Sequence, residues 1–490
     1  MRITAAMALL LGAAFVPPAH AEGTRLGSLA FEPCTLATEL MPQTVDARCA
    51  RLEVPEDRAH PEGRKVSLAI AWVASDAKQP QPDPVFLLAG GPGQGARESY
   101  PSVARAFREV LRRRHVILVD QRGTGDSNAL ACRNAAGESA FGDDADVTPA
   151  GFARFAKECL AKLDADPRFY TTSDGVADLD AVREALGVEQ VDLLGVSYGT
   201  RVALEYLRRH PDRTRAVVLD GVVPPDLVLG SEHAKNLESA LDLQFARCTS
   251  DPECAKRFGS PRESLSALLT RLRAAPQPVR YRDPLTNEPR EEPLTADAVA
   301  GVVRLFAYSP QVAGMLPLAL HEAQTGNAEP LMAQSRMLQS IVGETIMHGM
   351  QLSVICAEDA DLLQVDPADT NTLLGNSLIE MTQVQCREWP KGKRPDDFHA
   401  AVTSDRPVLL FSGEFDPVTP PRYGERVVKT LANGRHLVAN GQGHNVTPLG
   451  CIPKLVGDFF DAPDAKALDA KCMAQFGYAP PFTGYWGTEP

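Results

Sequence analysis

Past residue 16, the 490-residue sequence has no apolar run approaching the roughly 20 residues that a bilayer-crossing helix needs. A helical membrane span is therefore not expected in the mature protein. Basic residues are the scarcer charge, with 50 Lys and Arg against 63 Asp and Glu and a net charge of −13. Nucleic acid is excluded as an expected partner, because phosphate binding needs a basic footprint. No Cys-x-x-Cys occurs, and no Cys stands at ligand spacing from a His, so no metal centre is expected. A phosphate-loop lysine and the dinucleotide glycine spacing are both missing. Internal repeats and low-complexity tracts are also absent, which removes solenoid and disordered architectures.

What is present begins with Met1-Arg2 and an apolar run over residues 3–16, closed by Pro17-Pro18-Ala19-His20-Ala21. A basic start, a short apolar core and small residues at the minus-three and minus-one positions predict a secretory leader, residues 1–21, cut after Ala21. The ten cysteines all lie beyond it: Cys34, Cys49, Cys132, Cys159, Cys248, Cys254, Cys356, Cys386, Cys451 and Cys472. An even count in an exported chain reads as disulfides. They fall into neighbouring pairs, each expected to close a local loop. Export to a periplasm or to the medium is the matching expectation for location.

With 44% hydrophobic residues the chain can bury a large core. Residues 66–75 alternate as a half-buried strand does. Continuous apolar runs at 84–89, 115–120, 191–195 and 216–219 read as buried central strands. Helical stretches are expected at 102–114, 173–186 and 198–210. This alternation predicts a mostly parallel sheet with helices on both faces. From about residue 224 to 398 the rhythm is lost and helical patterning dominates. It returns with a strand at 407–412, a helix at 421–431 and a strand at 436–440, and the tail after Cys472 reads as loop. The expected organisation is a core over 22–223 and 399–490, interrupted by a helical cap inserted at 224–398.

Gly195-Val196-Ser197-Tyr198-Gly199 follows a strand and opens a helix, the setting of a G-x-S-x-G nucleophile turn. The chain must reverse sharply there, so both glycines keep room around a strained, exposed serine. A serine hydroxyl needs a base, and the base an orienting carboxylate. His444, in Gly441-Gln442-Gly443-His444, lies past the end of the last strand, where sites of open α/β sheets sit. His436, near the start of that strand, reads as structural. Asp416 is the preferred acid. Asp220 is its competitor and reads as a turn residue; Glu414 is a third choice. Oxyanion donors are expected from the amide of Tyr198 and from Gly91, with Gly93 possible, because Pro92 has no N–H. Asn445-Val446-Thr447 matches a glycosylation sequon, but a glycan beside His444 would block access, so it reads as a chance match. The reaction expected is acyl transfer without a metal or organic cofactor.

Taken in order, Gly90-Gly91-Pro92-Gly93, Asp120-Gln121-Arg122-Gly123-Thr124-Gly125, the Ser197 turn, Asp416-Pro417-Val418-Thr419-Pro420 and Gly443-His444 resemble one family. It is the proline iminopeptidase and tripeptidyl aminopeptidase-like family of α/β-hydrolase serine exopeptidases. Cys34 and Cys49 before Val54-Pro55-Glu56-Asp57, and Cys386-Arg387-Glu388-Trp389-Pro390, extend the resemblance over nearly the whole mature chain. Ala89 stands where the proline-specific branch usually has His, which points to the exported tripeptidyl-aminopeptidase-like branch. The resemblance implies an α/β-hydrolase fold and a peptide substrate with a free N-terminus. It calls for a cap carboxylate to hold the substrate's ammonium group, and Glu358 and Asp359 are the expected anchors. A carboxylesterase acting on small acyl esters uses the same triad, and a non-catalytic binding protein could share the scaffold.

Overall fold

The computed structural model describes residues 24–38, 41–133 and 148–488. The expected leader lies outside them. Twelve strands run through the described residues: β1 (Thr24–Leu26), β2 (Leu29–Thr38), β3 (Met41–Pro55), β4 (Lys65–Val73), β5 (Val85–Leu88), β6 (Val116–Val119), β7 (Val191–Val196), β8 (Thr214–Asp220), β9 (Gln277–Arg282), β10 (Pro289–Leu294), β11 (Val408–Gly413) and β12 (Gly434–Ala439). Ten of them form one mixed sheet in the order β1-β2-β3-β4-β6-β5-β7-β8-β11-β12. Pairing is antiparallel from β1 to β6 and parallel from β6 through β12.

The central strands are apolar on both faces because both faces are covered. Phe86, Leu88, Ile117, Leu193, Val217, Leu219 and Leu410 pack with Val176, Leu179 and Val182 of the helix Thr172–Ala185 and with Val202 and Leu204 of the helix Tyr198–Arg209. The alternate residues Val85, Leu87, Val116, Leu118, Leu194, Val218 and Phe411 pack on Leu455, Val456 and Phe459 of the helix Ile452–Asp461. This period of two sends successive side chains to opposite layers.

Three details depart from the sequence expectations. The first three strands were not foreseen as strands; half-exposed and punctuated by Pro33 and charged residues, they lack the continuous apolar signal of the centre. The helix expected at 102–114 is instead a broken series, Ala96–Val103, Ala104–Phe107 and Arg108–Leu111, with Pro101 inside its first turns. The stretch between β8 and β11 is mainly helical but also holds the antiparallel hairpin β9–β10. That stretch has a hydrophobic cluster of its own, built on Leu241, Leu268, Val299, Val303, Leu316 and Leu320. Its later part behaves differently. Met347, Met350 and Val354 of the 347–358 segment join the main core beside Tyr198 and Val202.

Five disulfides join the cysteines as nearest neighbours in sequence: Cys34–Cys49, Cys132–Cys159, Cys248–Cys254, Cys356–Cys386 and Cys451–Cys472. No free cysteine remains. Among the described residues, no helix is long and apolar enough to cross a membrane.

Candidate active site

The parallel strands β7, β8, β11 and β12 are neighbours, so their carboxyl ends bring Ser197, Asp220, Asp416 and His444 to one edge of the sheet. Ser197 sits between β7 and the helix Tyr198–Arg209 with φ +54° and ψ −124°, a region that costs energy for a residue with a Cβ. The flanking glycines permit this turn. A Cβ on Gly195 would overlap the Gly199 carbonyl, and one on Gly199 would overlap the carbonyl of Leu88. The Ser197 amide donates to the Asp220 carbonyl at 2.9 Å, which ties the turn to β8.

His444 Nδ1 faces Asp416 Oδ2 at 2.8 Å. The Asp416 carboxylate is buried and well satisfied. Its Oδ1 accepts from the amides of Val418 (2.9 Å) and Thr419 (2.8 Å), and its Oδ2 accepts from Thr419 Oγ1 (2.8 Å). Thr419 Oγ1 also lies 3.1 Å from His444 Nδ1, so it braces both partners. Burial pushes the Asp416 carboxyl upward, but the adjacent His444 outweighs this and holds it below the usual value. Burial likewise pulls the His444 imidazole down, yet the Asp416 charge and hydrogen bond, with a contribution from Asp220, hold it above the ordinary value of 6.5.

Asp220 is not a turn residue, as the sequence suggested. It is the buried last residue of β8, and its carboxylate accepts from the amides of Val446 (3.0 Å) and Thr447 (2.7 Å). It therefore holds the loop that carries His444. His436 contacts Ser412 Oγ at 3.0 Å through Nε2, away from this arrangement. Glu414 accepts from the Gly441 amide at 2.7 Å. The inserted stretch also reaches the His444 loop: the His444 amide donates to the Tyr308 carbonyl at 2.9 Å, and the Tyr308 ring stands edge-on to the imidazole with centroids 5.3 Å apart. A Cβ on Gly443 would overlap that carbonyl. Nothing in the sequence pointed to Tyr308, whereas Thr419 stood inside a motif already singled out.

A cavity of about 850 Å³ opens at Ser197. Gly91, Pro92, Tyr198 and Thr419 line it near the sheet, and the inserted stretch supplies most of the remaining wall. Gly91 has φ +109°, and Tyr198 is the first residue of its helix, where backbone N–H groups lack intrahelical acceptors. Both amides belong to the segments where oxyanion donors were expected.

Glu358 and Asp359 do not line the cavity, and their expected role as ammonium anchors is corrected. Both are fully buried at the end of the helix His348–Glu358, which is packed into the main core. Glu358 accepts from the Thr172 amide (2.5 Å) and hydroxyl (2.9 Å), and that hydroxyl meets Tyr198 OH at 2.7 Å. Asp359 is paired with Arg201 at 2.7 Å, and Arg201 also donates to the Leu227 carbonyl. Burial lifts the Glu358 carboxyl to about 8. These carboxylates anchor the helix that follows Ser197 and are unavailable to a substrate. The cavity has other acids. Glu232 is held by Arg422 (3.0 Å) and Tyr423 (2.7 Å), and Glu292 by Tyr281 (2.7 Å) and Arg290 (3.3 Å). Asp297 also lines the cavity; it is solvent-exposed in the first turn of the helix Ala296–Phe306, where an acid suits the helix dipole, and no side-chain hydrogen bond or ion pair among the described residues involves it.

Comparison with known proteins agrees with this architecture. Residues 83–255 match the α/β hydrolase fold family, and residues 371–472 match a family described as TAP-like protein. The serine protease Hip1 of Mycobacterium tuberculosis is 24% identical over 481 residues, covering 90% of each chain. Carboxylesterase B of the same organism is 32% identical over 281 residues, 54% of this chain and 52% of its own. A tripeptidyl aminopeptidase of Streptomyces coelicolor is 28% identical over 193 residues, 36% of this chain and 35% of its own. With the serine turn at the head of its sheet and a TAP-like carboxyl-terminal portion, the chain is an α/β hydrolase of the serine hydrolase type.

Proposed function

We propose that the protein is an exported serine aminopeptidase that cleaves peptides near a free N-terminus, with Ser197 as nucleophile, His444 as base and Asp416 as its orienting acid. In this reading Ser197 Oγ attacks the substrate carbonyl while His444 Nε2, left free by the Nδ1 contact to Asp416, takes its proton. The amides of Tyr198 and Gly91 receive the oxyanion. His444 then protonates the departing amine, and water releases the acyl group from Ser197. Residues 224–398 act as the cap that selects the substrate. The five disulfides fit an oxidising compartment reached through a leader cut after Ala21.

The observation that carries the peptidase reading is the cavity itself. At about 850 Å³ it is far larger than a small acyl ester needs, and the solvent-exposed carboxylate of Asp297 is among its lining groups. An ammonium group is the natural counter-charge. Similarity to Hip1 along most of the chain supports the same reading, while similarity to carboxylesterase B keeps the ester alternative in play.

Two outcomes are expected. A peptide anilide with a free N-terminus should be cleaved at least about tenfold faster, in kcat/KM, than its N-acetylated form, because acetylation removes the charge that a cavity carboxylate would bind. Equal rates would reject the aminopeptidase reading. The second concerns pH. The base must be neutral to accept a proton, and the Asp416 contact raises the pKa of His444. Activity should therefore fall as pH drops through a value above the ordinary 6.5 of imidazole, and be retained above it. A kcat/KM profile that stays flat down to pH about 5 would contradict His444 as base.

A further inference from the structure

The helix Ala296–Phe306 turns one face to the cavity: Ala298, Gly301, Val302 and Leu305 line it at the spacing of a single helical stripe. Gly301 on this side is unexplained by the stability of the helix, whereas Arg304, in the last turn, also suits the helix dipole. Gly301 lies in mid-helix, where glycine is a poor former. Its φ is not left-handed, and a Cβ there would meet nothing within 4 Å. Neither backbone shape nor crowding calls for glycine. What the missing side chain leaves is open space in the cavity.

Arg304 stands one turn further along and also lines the cavity. It is half-buried, and no hydrogen bond or ion pair among the described residues involves it. Other cations nearby are committed, Arg336 to Asp283 at 3.3 Å and Arg422 to Glu232 at 3.0 Å. A guanidinium drawn partly out of water without a counter-charge is unfavourable by itself. Its planar fork matches a carboxylate. His233, another cavity residue, lies near enough that Arg304 adds to the dominant effect of burial in lowering its imidazole to about 3. Both residues line the same cavity.

We propose that Arg304 is the carboxylate receptor of the substrate cavity, and that Gly301 leaves the room through which a carboxylate-bearing substrate group reaches it. The proposal rests on the reading of the cavity at Ser197 as the substrate site. The carboxylate could belong to an acidic side chain or to a free C-terminus, which share one chemistry.

The test uses the full-length mature enzyme, its active fraction counted by fluorophosphonate titration, and three matched pairs of substrates. One pair is free-amine peptide anilides differing only by Glu or Gln. The second is short peptides with a free or an amidated C-terminus. The third is p-nitrophenyl hemiglutarate and its methyl ester. In at least one pair the wild type should favour the charged member by about tenfold or more in kcat/KM, as a charge-assisted hydrogen bond does. The pair that responds identifies the source of the carboxylate. Arg304→Met should bring the ratio to near one, and Arg304→Lys should keep part of it. The ratio is read within each variant, so a general loss of activity does not imitate the result. Gly301→Leu should lower kcat/KM for the charged member, and unchanged kinetics would overturn the placement of substrate against this face. No charge preference in any pair, or a preference that survives Arg304→Met, would overturn the receptor. If free-amine anilides are not cleaved while the ester pair shows an Arg304-dependent preference, the aminopeptidase reading fails and the receptor stands.

Discussion

Ser197→Ala should abolish turnover, lowering kcat by about five to six orders of magnitude, with the fold unchanged. The size of the loss follows from the chemistry. Without Oγ there is no acyl-enzyme, and only oxyanion stabilisation and positioning by the Tyr198 and Gly91 amides would remain to assist attack by water. The fold should survive for a local reason. The strain at Ser197 is in its backbone, at φ +54°, and alanine carries the same Cβ under the same strain. The Ser197 amide would still reach the Asp220 carbonyl. A thermal melt overlaying that of the wild type, together with loss of fluorophosphonate labelling, is the expected pair of results. Labelling of the alanine variant would move the nucleophile elsewhere.

The second large effect separates the two buried aspartates. Asp416→Asn should lower kcat by about 10⁴-fold, because an amide in place of Oδ2 no longer holds His444 in the useful tautomer or balances its charge. The acid limb of the pH profile should also move down, since the main influence raising the His444 pKa is lost. Asp220→Asn should behave differently. Its carboxylate accepts from two backbone amides, and an asparagine presents a donor to one of them. The cost should be about 1–3 kcal/mol in stability, read by urea denaturation, with a much smaller loss of kcat. Equal losses of kcat in the two variants would show that the acid had been assigned to the wrong strand end.

The strong sequence signals came from parts of the molecule under the tightest geometric demands. Central strands buried on both faces must be continuously apolar, and the Ser197 turn must have glycine where Gly199 presses on Leu88. Both requirements are visible in one dimension. Asp220 was misread because a buried carboxylate serving two loop amides looks, in sequence, like any aspartate at a strand end. Glu358 and Asp359 were misplaced for a related reason. Their helix belongs by sequence to the inserted stretch but by packing to the main core, through Met350 and Val354, and that depends on which surfaces meet. Asp297, Gly301 and Arg304 left no trace, since a cavity wall is defined by what does not fill it.

The bond from the His444 amide to the Tyr308 carbonyl has a consequence for engineering. Specificity is commonly altered by transplanting a whole cap from one hydrolase to another. Here the peptide at position 308 is a mounting point for the loop that carries His444. A transplant with both joins placed outside residues 224–398 would replace that mounting point along with most of the cavity wall. Keeping the native segment around 308 as a fixed post, and redesigning only the helices on either side of it, is the division of labour that this architecture allows.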